Sequence, residues 1–281
     1  MNRFLVRTAY PLGKFITDRI GGRRIAKKLY DTLTPKSSRW VRIHNSLLLT
    51  NIHDNGIGTL LFLKGSYANG RVSIIRELVK SGNTVVDIGA NIGYFTTLMV
   101  NLVGKKGNVY AFEPDLRSVN LLCQTVEKNR WNNVIVNQKA ISNKSGICQF
   151  YQTESWTANT LSKDIHKSIV TVPVTTLDEY FPTISVDFIK MDMDGSELLA
   201  IESMVNLISR SPNIKILVEY HPTNLKRYMD NPLKFIDIAN QCGLELFGIL
   251  DSDNGLLPDL NLDRLSRIEG DDNLDLLFKR K

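Results

Sequence analysis

The sequence predicts an α/β fold, in which a mostly parallel β-sheet is covered by helices on both faces. From about residue 70 onward, predicted strands alternate with helices of ten or more residues. Several of these strands are continuously apolar, as is typical of strands that are buried on both faces of a parallel sheet. A length of 281 residues with 43% hydrophobic residues suits one large domain, or one domain with an extension.

The first 64 residues are predicted to form a basic N-terminal extension of helical and β segments, ahead of a main domain at 65–281. Residues 1–42 hold 11 Lys and Arg against two Asp, a net charge of +9, so the rest of a chain with net charge +6 carries −3. This leader is interpreted as a basic helix that packs on the domain, or that contacts an anionic membrane surface peripherally. No nucleic-acid partner is expected. Short apolar runs predict a β hairpin region or a cover within residues 43–69.

The main domain begins with a predicted helix over residues 71–80. A strand at 84–88 and a helix at 92–103 follow, with a glycine-containing turn between them. The further predicted strands are 108–112, 134–137, 187–191, 214–220, 244–249 and 274–279. The further predicted helices are 116–129, 197–209 and 232–241. Residues 147–151 and 169–174 are predicted to be extended pieces of an excursion from this alternation.

The sequence also predicts the cellular context. The three cysteines are far apart and form no Cys-x-x-Cys pair, which indicates free thiols in a reducing compartment. No apolar run approaches the length of a membrane span. Arg7, Pro11 and Lys14 interrupt the start of the chain, so it lacks the apolar core of a signal peptide. A cytoplasmic location is therefore expected, with peripheral membrane contact through residues 1–42 as a possible addition.

Acidic residues stand at most of the predicted strand ends. In an open α/β sheet, ligands bind outside the carboxyl ends of the strands. The residues at the five ends are, in chain order, Asp87 with the Gly89–Gly93 turn, Glu113, Lys139 with Ala140, Asp192 with Asp194 and Glu197, and Glu219 with His221. Such a set suits a ligand that carries hydroxyls and a positive charge, and it does not suit a ligand dominated by phosphates.

The turn after the first domain strand predicts a nucleotide cofactor. Gly89 and Gly93 let the backbone turn tightly and let a ligand approach it closely. Glu113 stands at the next strand end, where a carboxylate can accept hydrogen bonds from two ribose hydroxyls. A dinucleotide site would need G-x-G-x-x-G, but Asn91 and Tyr94 replace its second and third glycines. The pattern therefore fits S-adenosylmethionine, which has a sulfonium and an amino group and no phosphate.

Four segments carry the most specific pattern in the chain: VVDIGANIGYFT, VYAFEPD, VDFIKMDMDGSE and ILVEYHP. Together they resemble the successive motifs of the FkbM family of S-adenosylmethionine-dependent methyltransferases. The resemblance covers roughly residues 65 to 281. It implies the Rossmann-like class I methyltransferase fold, with a mostly parallel seven-stranded sheet and a cofactor site at the first three strand ends. It also implies O-methylation, typically of sugar or polyketide hydroxyls. Two positions depart from the family pattern, Ala68 and Asp194, where Glu is more usual.

Eight residues are predicted to bind the cofactor: Asp87, Gly89, Ala90, Asn91, Gly93, Glu113, Lys139 and Ala140. Asp87 and the turn would hold the methionine end, and Glu113 the ribose. Lys139 and Ala140 would line the adenine side, through backbone more than side-chain contacts. The structural alternatives are that Asp87 or Asn91 caps the following helix and that Glu113 is a loop acid.

Asp192, Glu219 and His221 are the predicted catalytic residues on the acceptor side. Asp192 follows an apolar strand, where it can orient the substrate hydroxyl, act as a base or bind a divalent cation. His221 can accept a hydroxyl proton near pH 7, although a lone His is more often structural. Asp194 and Glu197 are interpreted as a start of the next helix that resembles a capping box. No metal ligands are assigned, and in-line positioning alone can account for most of the rate.

These patterns predict an O-methyltransferase that acts on a saccharide, a glycolipid or another hydroxylated natural product. Methylation of base nitrogens is disfavoured, because no Asn-Pro-Pro-[Tyr/Phe] motif follows the fourth strand. One alternative is a nicotinamide-dependent oxidoreductase on the same fold, which the missing dinucleotide glycines disfavour. The other is a non-catalytic module whose basic leader docks to a membrane or to nucleic acid, which the intact cofactor motif disfavours.

Overall fold

A β-hairpin and two helices precede the central sheet. The computed structural model describes residues 38–52, 57–152, 168–260, 262–268 and 274–281. Strand β1 spans Arg39–Ile43 and β2 spans Ser46–Thr50, and both turn residues, His44 and Asn45, have positive φ, as a two-residue hairpin turn requires. Helix α1 spans Ile57–Lys64 and α2 spans Asn69–Leu78. The hairpin therefore begins before the predicted cover, and residues 1–37 of the basic leader lie outside the described residues.

Three parallel strands with their connecting helices form the first half of the domain. They are β3 (Thr84–Ile88), α3 (Tyr94–Val103), β4 (Asn108–Phe112), α4 (Leu116–Asn129) and β5 (Val134–Asn137), with a short 3-10 turn at Gly104–Lys106. The three strands and α4 have the predicted bounds. Helix α3 begins two residues later than predicted, because Gly93 is its N-cap.

The predicted excursion is a separate three-stranded sheet. It consists of β6 (Ala140–Ile141), β7 (Gly146–Gln152) and β8 (Ser168–Thr175), in the order β6-β8-β7. β7 and β8 are antiparallel, with Gln152 opposite Ser168. A short helix, α5 (Leu177–Tyr180), leads the chain back to the central sheet.

The second half of the domain completes the central sheet. Its elements are β9 (Phe188–Met191), α6 (Glu197–Glu202), α7 (Val205–Arg210), β10 (Lys215–Tyr220), α8 (Pro222–Leu225), α9 (Lys234–Gln241), β11 (Leu244–Asp251), β12 (Gly255–Leu256), α10 (Leu262–Ser266) and β13 (Leu274–Arg280). Within the part of the chain that the structure describes, no helix combines the length and apolar character needed to cross a membrane.

The prediction of a single helix over 197–209 is wrong, because the helix is interrupted between α6 and α7. The Ser203 hydroxyl donates to the Ala200 carbonyl at 2.7 Å and also accepts the Leu177 amide at 3.3 Å. The Ser203 carbonyl accepts the Asp178 amide at 2.8 Å. Side-chain bonds of this kind compete with the helical hydrogen-bond pattern. The break therefore ties α5 to the helices that follow β9.

The central sheet has eight strands in the order β12-β11-β13-β10-β9-β3-β4-β5. The five strands from β10 to β5 are parallel, whereas β13, β11 and β12 run antiparallel to their neighbours. The predicted mostly parallel α/β sheet is confirmed. The strand beyond the predicted seven is β12, which has two residues and pairs only with the end of β11.

Each face of the sheet buries its own apolar core. The face covered by α2, α3 and the hairpin carries Val85, Phe188, Leu217 and Leu277. The opposite face carries Val86, Ile189, Val218 and Leu276, covered by α6, α7 and α9. Because side chains alternate along a strand, the residues two positions further toward the carboxyl ends of the parallel strands lie on the α2–α3 face. These residues are Asp87, Lys190, Glu219 and, on antiparallel β13, Asp275.

Candidate active site

The turn after β3 is packed too tightly to accept a side chain at Gly89. Gly89 has φ +72°, and a Cβ atom there would lie 1.9 Å from the Asp192 carbonyl oxygen. The amides of Gly89 and Ala90 both donate to the Phe112 carbonyl, at 3.0 Å each. Gly93 has φ +92° and lies against the Leu122 side chain. The turn therefore joins the ends of β3, β4 and β9.

Glu113 ties this turn to the end of β4. Its Oε2 accepts the Asn91 amide at 2.8 Å, and its Oε1 accepts the Asp115 amide at 2.8 Å. Burial raises the pKa of Glu113 to about 7, although both amide bonds favour the charged form. Each carboxylate oxygen retains a further lone pair, which can accept a ligand hydroxyl. Asn91 does not cap α3, since its Oδ1 accepts the adjacent Ile92 amide.

Asp87 lies fully buried beneath the turn. Its Oδ2 accepts a hydrogen bond from the Thr96 hydroxyl at 2.6 Å, which fixes the strand end to α3. Its Oδ1 lies 3.7 Å from Lys190 Nζ and accepts no hydrogen bond from the residues that the structure describes. Burial raises the pKa of Asp87 even though Lys190 and Thr96 oppose that rise. Oδ1 is a buried acceptor that suits an ammonium group.

The Lys190 ammonium lies inside the protein among acids and carbonyls. Its Nζ is 3.2 Å from the Gly89 carbonyl and 3.4 Å from Asp192 Oδ2. The Phe95 ring lies 5.1 Å away. Burial lowers the pKa of Lys190, but the charges of Asp192 and Asp87 reverse that effect and raise it. Lys190 therefore links the acid of the cofactor turn to the acid that follows β9.

Arg71 from α2 holds three acids from three different strands. Its Nη1 is 3.2 Å from Asp192 Oδ2, its Nη2 is 2.8 Å from Glu219 Oε1, and its Nε is 2.7 Å from Asp275 Oδ2. The side chain is only 2% exposed. The structure brings the predicted residues Asp192 and Glu219 together on Arg71, and the sequence-based prediction missed both Arg71 and Asp275. The signal that was available is a charged residue directly after Gly70, at the start of a helix that covers the sheet.

The acids around Arg71 have opposite protonation tendencies. Burial would raise the pKa of Asp192, but Lys190 and Arg71 together lower it to about 2. Burial and the nearby Asp192 charge raise the pKa of Glu219 well above its usual range, against the effect of Arg71. The Glu219 side chain also hydrogen-bonds to Asp192. The two carboxyls therefore titrate as a coupled pair, in which the ionised form is favoured at Asp192 and the protonated form is favoured at Glu219.

The loop after β9 packs against the segment that holds His221. His221 is the half-buried N-cap residue of α8, and its carbonyl accepts the amides of Asn224 and Leu225. A Cβ atom on Gly195 would lie 2.5 Å from the Asn224 carbonyl oxygen. The ends of β9 and β10 therefore meet at this side of the site.

Asp194 does not cap the next helix, which corrects the capping-box interpretation. Helix α6 begins at Glu197 with Ser196 as its N-cap, and Asp194 has φ +51° in the preceding turn. Glu197 does reach back, since its Oε1 accepts the Met193 amide at 2.7 Å. Burial, together with Asp192 and Glu197, raises the pKa of Asp194 well above its usual range.

Lys139 and Ala140 lie at the other end of the row of strand ends. Lys139 Nζ is 5.9 Å from the Tyr180 ring, and Ala140 is buried in β6. The Tyr180 hydroxyl donates to Asn137 Oδ1 at 2.8 Å, and its ring lies 4.8 Å from that of Phe112. The structure therefore connects Lys139 to the end of β4 through Tyr180, away from the Arg71 cluster.

The residues around the turn fit S-adenosylmethionine by their chemistry. Asp87 offers a buried oxygen for an ammonium group, and Glu113 offers two oxygens for ribose hydroxyls. The surrounding acids favour a cofactor with a positive sulfonium. Among the described residues, there is no group of three or more His, Cys, Asp or Glu placed to hold a metal ion.

Comparison with known proteins agrees with the sequence motifs. A family model described as the methyltransferase FkbM domain matches residues 87–245, which is more than half of the chain. A search of curated proteins finds no match.

Three solved structures are similar in fold. TYW2 from M. jannaschii, in complex with AdoMet, is 14% identical, with 88% of this chain and 89% of that chain covered and a TM-score of 0.47. A SAM-dependent methyltransferase from Aquifex aeolicus is 17% identical, with 73% and 87% covered and a TM-score of 0.44. An FkbM methyltransferase from Methylobacillus flagellatus KT is 16% identical, with 77% of this chain and 52% of that chain covered and a TM-score of 0.43.

Proposed function

Because the chain belongs to the FkbM family of S-adenosylmethionine-dependent methyltransferases, we propose that it methylates a hydroxyl group of a saccharide, a glycolipid or another hydroxylated natural product. The observation that supports this proposal is the position of the Asp192 carboxylate beside the cofactor turn, where two cationic side chains contact it. Arg71 and Lys190 both contact its Oδ2, and the side chain is 25% exposed. An anchored, charged and accessible carboxylate is suited to accept a hydrogen bond from an acceptor hydroxyl.

The proposed cofactor site follows the strand ends. Asp87 and the backbone of Gly89, Ala90, Asn91 and Gly93 hold the methionine end. Glu113 holds the ribose through its two oxygens, and Lys139 and Ala140 line the adenine side. When bound, S-adenosylmethionine supplies an electrophilic methyl group on a positively charged sulfur. Family membership decides against the nicotinamide alternative.

On the acceptor side, we propose that Asp192 orients the hydroxyl and does not remove its proton. A carboxylate with a pKa near 2 is a weak base, because efficient proton transfer needs a pKa near the working pH. Glu219 hydrogen-bonds to Asp192, and burial favours its protonated form, so it is the proposed donor within the pair. His221 is the proposed proton acceptor, since an imidazole exchanges protons near pH 7. Alignment of the oxygen with the methyl–sulfur axis supplies most of the rate.

The charge of the site narrows the acceptor class. Lys190 and Arg71 favour the ionised form of Asp192, whereas burial raises the pKa of Asp194 and of Glu197, which lie near it. A phosphate or carboxylate on the acceptor would be repelled by the Asp192 carboxylate at short range. Neutral hydroxyls both donate and accept hydrogen bonds, so they match this surface. We propose that any membrane contact comes from the basic residues of 1–42, and equal liposome binding by the full chain and by a chain starting at residue 38, which keeps strand β1, would contradict it.

The test is methyl transfer from S-adenosylmethionine labelled with ¹³C in its methyl group. The full chain is incubated with separate panels of saccharides, glycolipids and polyketides, and with matched amines. We expect a ¹³C methyl-ether signal from a hydroxyl acceptor, which Asp192→Asn reduces strongly. Asp237→Asn, on the remote helix α9, serves as the control and should keep the signal. Label that appears on nitrogen would refute the proposed acceptor class.

A further inference from the structure

One arginine from a covering helix reaches acids on, or directly after, three neighbouring strands. Arg71 lies in the first turn of α2, and its own amide donates to the Ser252 carbonyl at 3.1 Å. Its three guanidinium nitrogens each contact a different carboxylate, at distances of 2.7 to 3.2 Å. A lysine ammonium is a compact point charge on a flexible stem and cannot reproduce this planar fork. The contact geometry therefore depends on arginine.

The charge balance around Asp192 depends strongly on Arg71. Eight titratable or charged groups shift the pKa of Asp192 or have their own pKa shifted by its charge. They are Arg71, Lys190, Glu219, Asp275, Asp87, Asp194, Glu197 and Tyr67. Only Arg71 and Lys190 in this set are cations. Lys190 also serves Asp87 and the Gly89 carbonyl. Without Arg71, one cation would remain among several acids.

The three acids held by Arg71 do not respond alike. The pKa of Asp192 is lowered, whereas burial raises the pKa of Glu219 and of Asp275. Asp275 is 1% exposed and lies opposite Glu219 in the β10–β13 register, on the side of Arg71 away from Asp192. Asp192, at 25%, is the most exposed of the three. Asp275 thus holds the guanidinium through Nε at its most buried side. The two other nitrogens, Nη1 and Nη2, contact the more exposed acids Asp192 and Glu219.

We propose that Arg71 is a positioning residue, which fixes the orientation and the negative charge of Asp192 at the acceptor end of the active site. The inference rests on the proposed role of Asp192 in orienting the acceptor hydroxyl. Arg71 acts through Asp192, with Asp275 as its anchor. A purely structural role, in which Arg71 only fastens α2 to the sheet, would change stability without changing the ionisation of Asp192.

The test measures the titration of Asp192 itself. The full-length protein is labelled with ¹³C at the aspartate side-chain carboxyl carbon, and Asp192→Asn assigns the Asp192 signal. In the wild type, this signal should remain that of the ionised form down to about pH 4, since its pKa is about 2. In Arg71→Lys, the midpoint should rise by about 1–3 pH units, because the ammonium cannot serve all three acids.

Two further variants separate positioning from fastening. Asp275→Asn keeps an oxygen that can accept the Arg71 Nε–H and removes one negative charge near Asp192, so the Asp192 midpoint should not rise. Arg210→Met removes an arginine whose Nη2 lies 3.7 Å from Asp178 Oδ1, in a pair that does not include Asp192 or its partners. It should therefore leave the Asp192 midpoint unchanged. Arg71→Met should also raise the Asp192 midpoint. If the methionine variant does not fold, Arg71→Lys still tests the proposal.

These titrations test the role of Arg71 without a methyl acceptor. An unchanged Asp192 midpoint in folded Arg71→Lys would overturn it, and so would an equal rise in Asp275→Asn. Calorimetric titration with S-adenosylhomocysteine is run alongside, and Arg71→Lys should bind it like the wild type. If the wild type fails to bind S-adenosylhomocysteine, the proposed function fails, whereas the Asp192 midpoints still decide the role of Arg71.

Discussion

Replacing Glu113 with glutamine should remove the loss of stability that this carboxyl causes as pH rises, and it should weaken cofactor binding. The folded pKa of Glu113, about 7, lies above its usual 4.5, because burial penalises the charged carboxylate. The folded state therefore holds more protons than the unfolded state between these values, and this group lowers stability as pH rises from about 4.5 through about 7. At about 1.4 kcal/mol per pH unit, the cost at pH 8 is about 3 kcal/mol. Glutamine resembles the protonated acid and avoids that cost.

The same substitution should harm the cofactor site. Glutamine has one acceptor oxygen, so it cannot accept both the Asn91 and the Asp115 amides. An unsatisfied buried amide costs about 1–3 kcal/mol, and the proposed ribose contact is also weakened. We therefore expect the affinity for S-adenosylhomocysteine to fall by about 10- to 100-fold at pH 8.

Urea unfolding at pH 5, 6, 7 and 8 measures the stability of the wild type and of Glu113→Gln, and calorimetry measures the affinity. Because the lost amide bond costs about 1–3 kcal/mol at every pH, the variant should lie below the wild type by that amount at pH 5, and it should gain up to about 3 kcal/mol relative to the wild type between pH 5 and pH 8. Burial also raises the pKa of Glu197 to about 7, but Glu197 is present in both proteins and cancels in the difference. Glu127→Gln, on the exposed side of α4, is the control. A stability difference that does not change with pH would refute the reasoning.

Two further substitutions have internal controls. Thr96→Val should lower the free energy of unfolding by about 1–3 kcal/mol in urea, because it removes the hydroxyl that donates to buried Asp87. Thr97→Val should be neutral or stabilising, since the Thr97 hydroxyl is buried without a hydrogen bond to any described residue. Gly89→Ala should weaken S-adenosylhomocysteine binding by about 100-fold or more in calorimetry. Its Cβ would lie 1.9 Å from the Asp192 carbonyl oxygen, so the turn would have to move away from the end of β9. Gly82→Ala, which also has positive φ but no neighbour within 4 Å, should cost about 1–2 kcal/mol of stability and leave binding unchanged.

The parts of the fold that follow from local sequence were predicted well. Strands β3, β4 and β5 and helix α4 are continuous segments with clear ends, and Asp115 before α4 accepts the Arg117 amide as an N-cap. The break at Ser203 was missed, because the apolar spacing of one helix face continues across it. The competing hydrogen bonds come from Leu177 and Asp178, which lie in a different element.

The candidate site likewise has residues that local sequence indicates and residues that depend on contacts between distant segments. The acids at the strand ends are visible in the sequence, because each stands near the end of an apolar strand or directly after it. Arg71 and Asp275 are 204 residues apart, and neither follows a parallel strand. Their pairing depends on how α2 lies across β10 and β13, and periodicity within either segment does not encode that packing. The lowered pKa of Asp192 depends partly on Arg71, whereas the raised pKa of Glu219 comes from burial and the nearby Asp192 charge, against the effect of Arg71.

Calorimetric titration of the full chain with S-adenosylhomocysteine, with NADH as the parallel ligand, tests the central claim most directly. The account predicts saturable binding of S-adenosylhomocysteine, no binding of NADH, and loss of the first in Glu113→Ala. Binding of NADH alone, or of neither ligand, would contradict a methyl-donor site at the ends of β3 and β4.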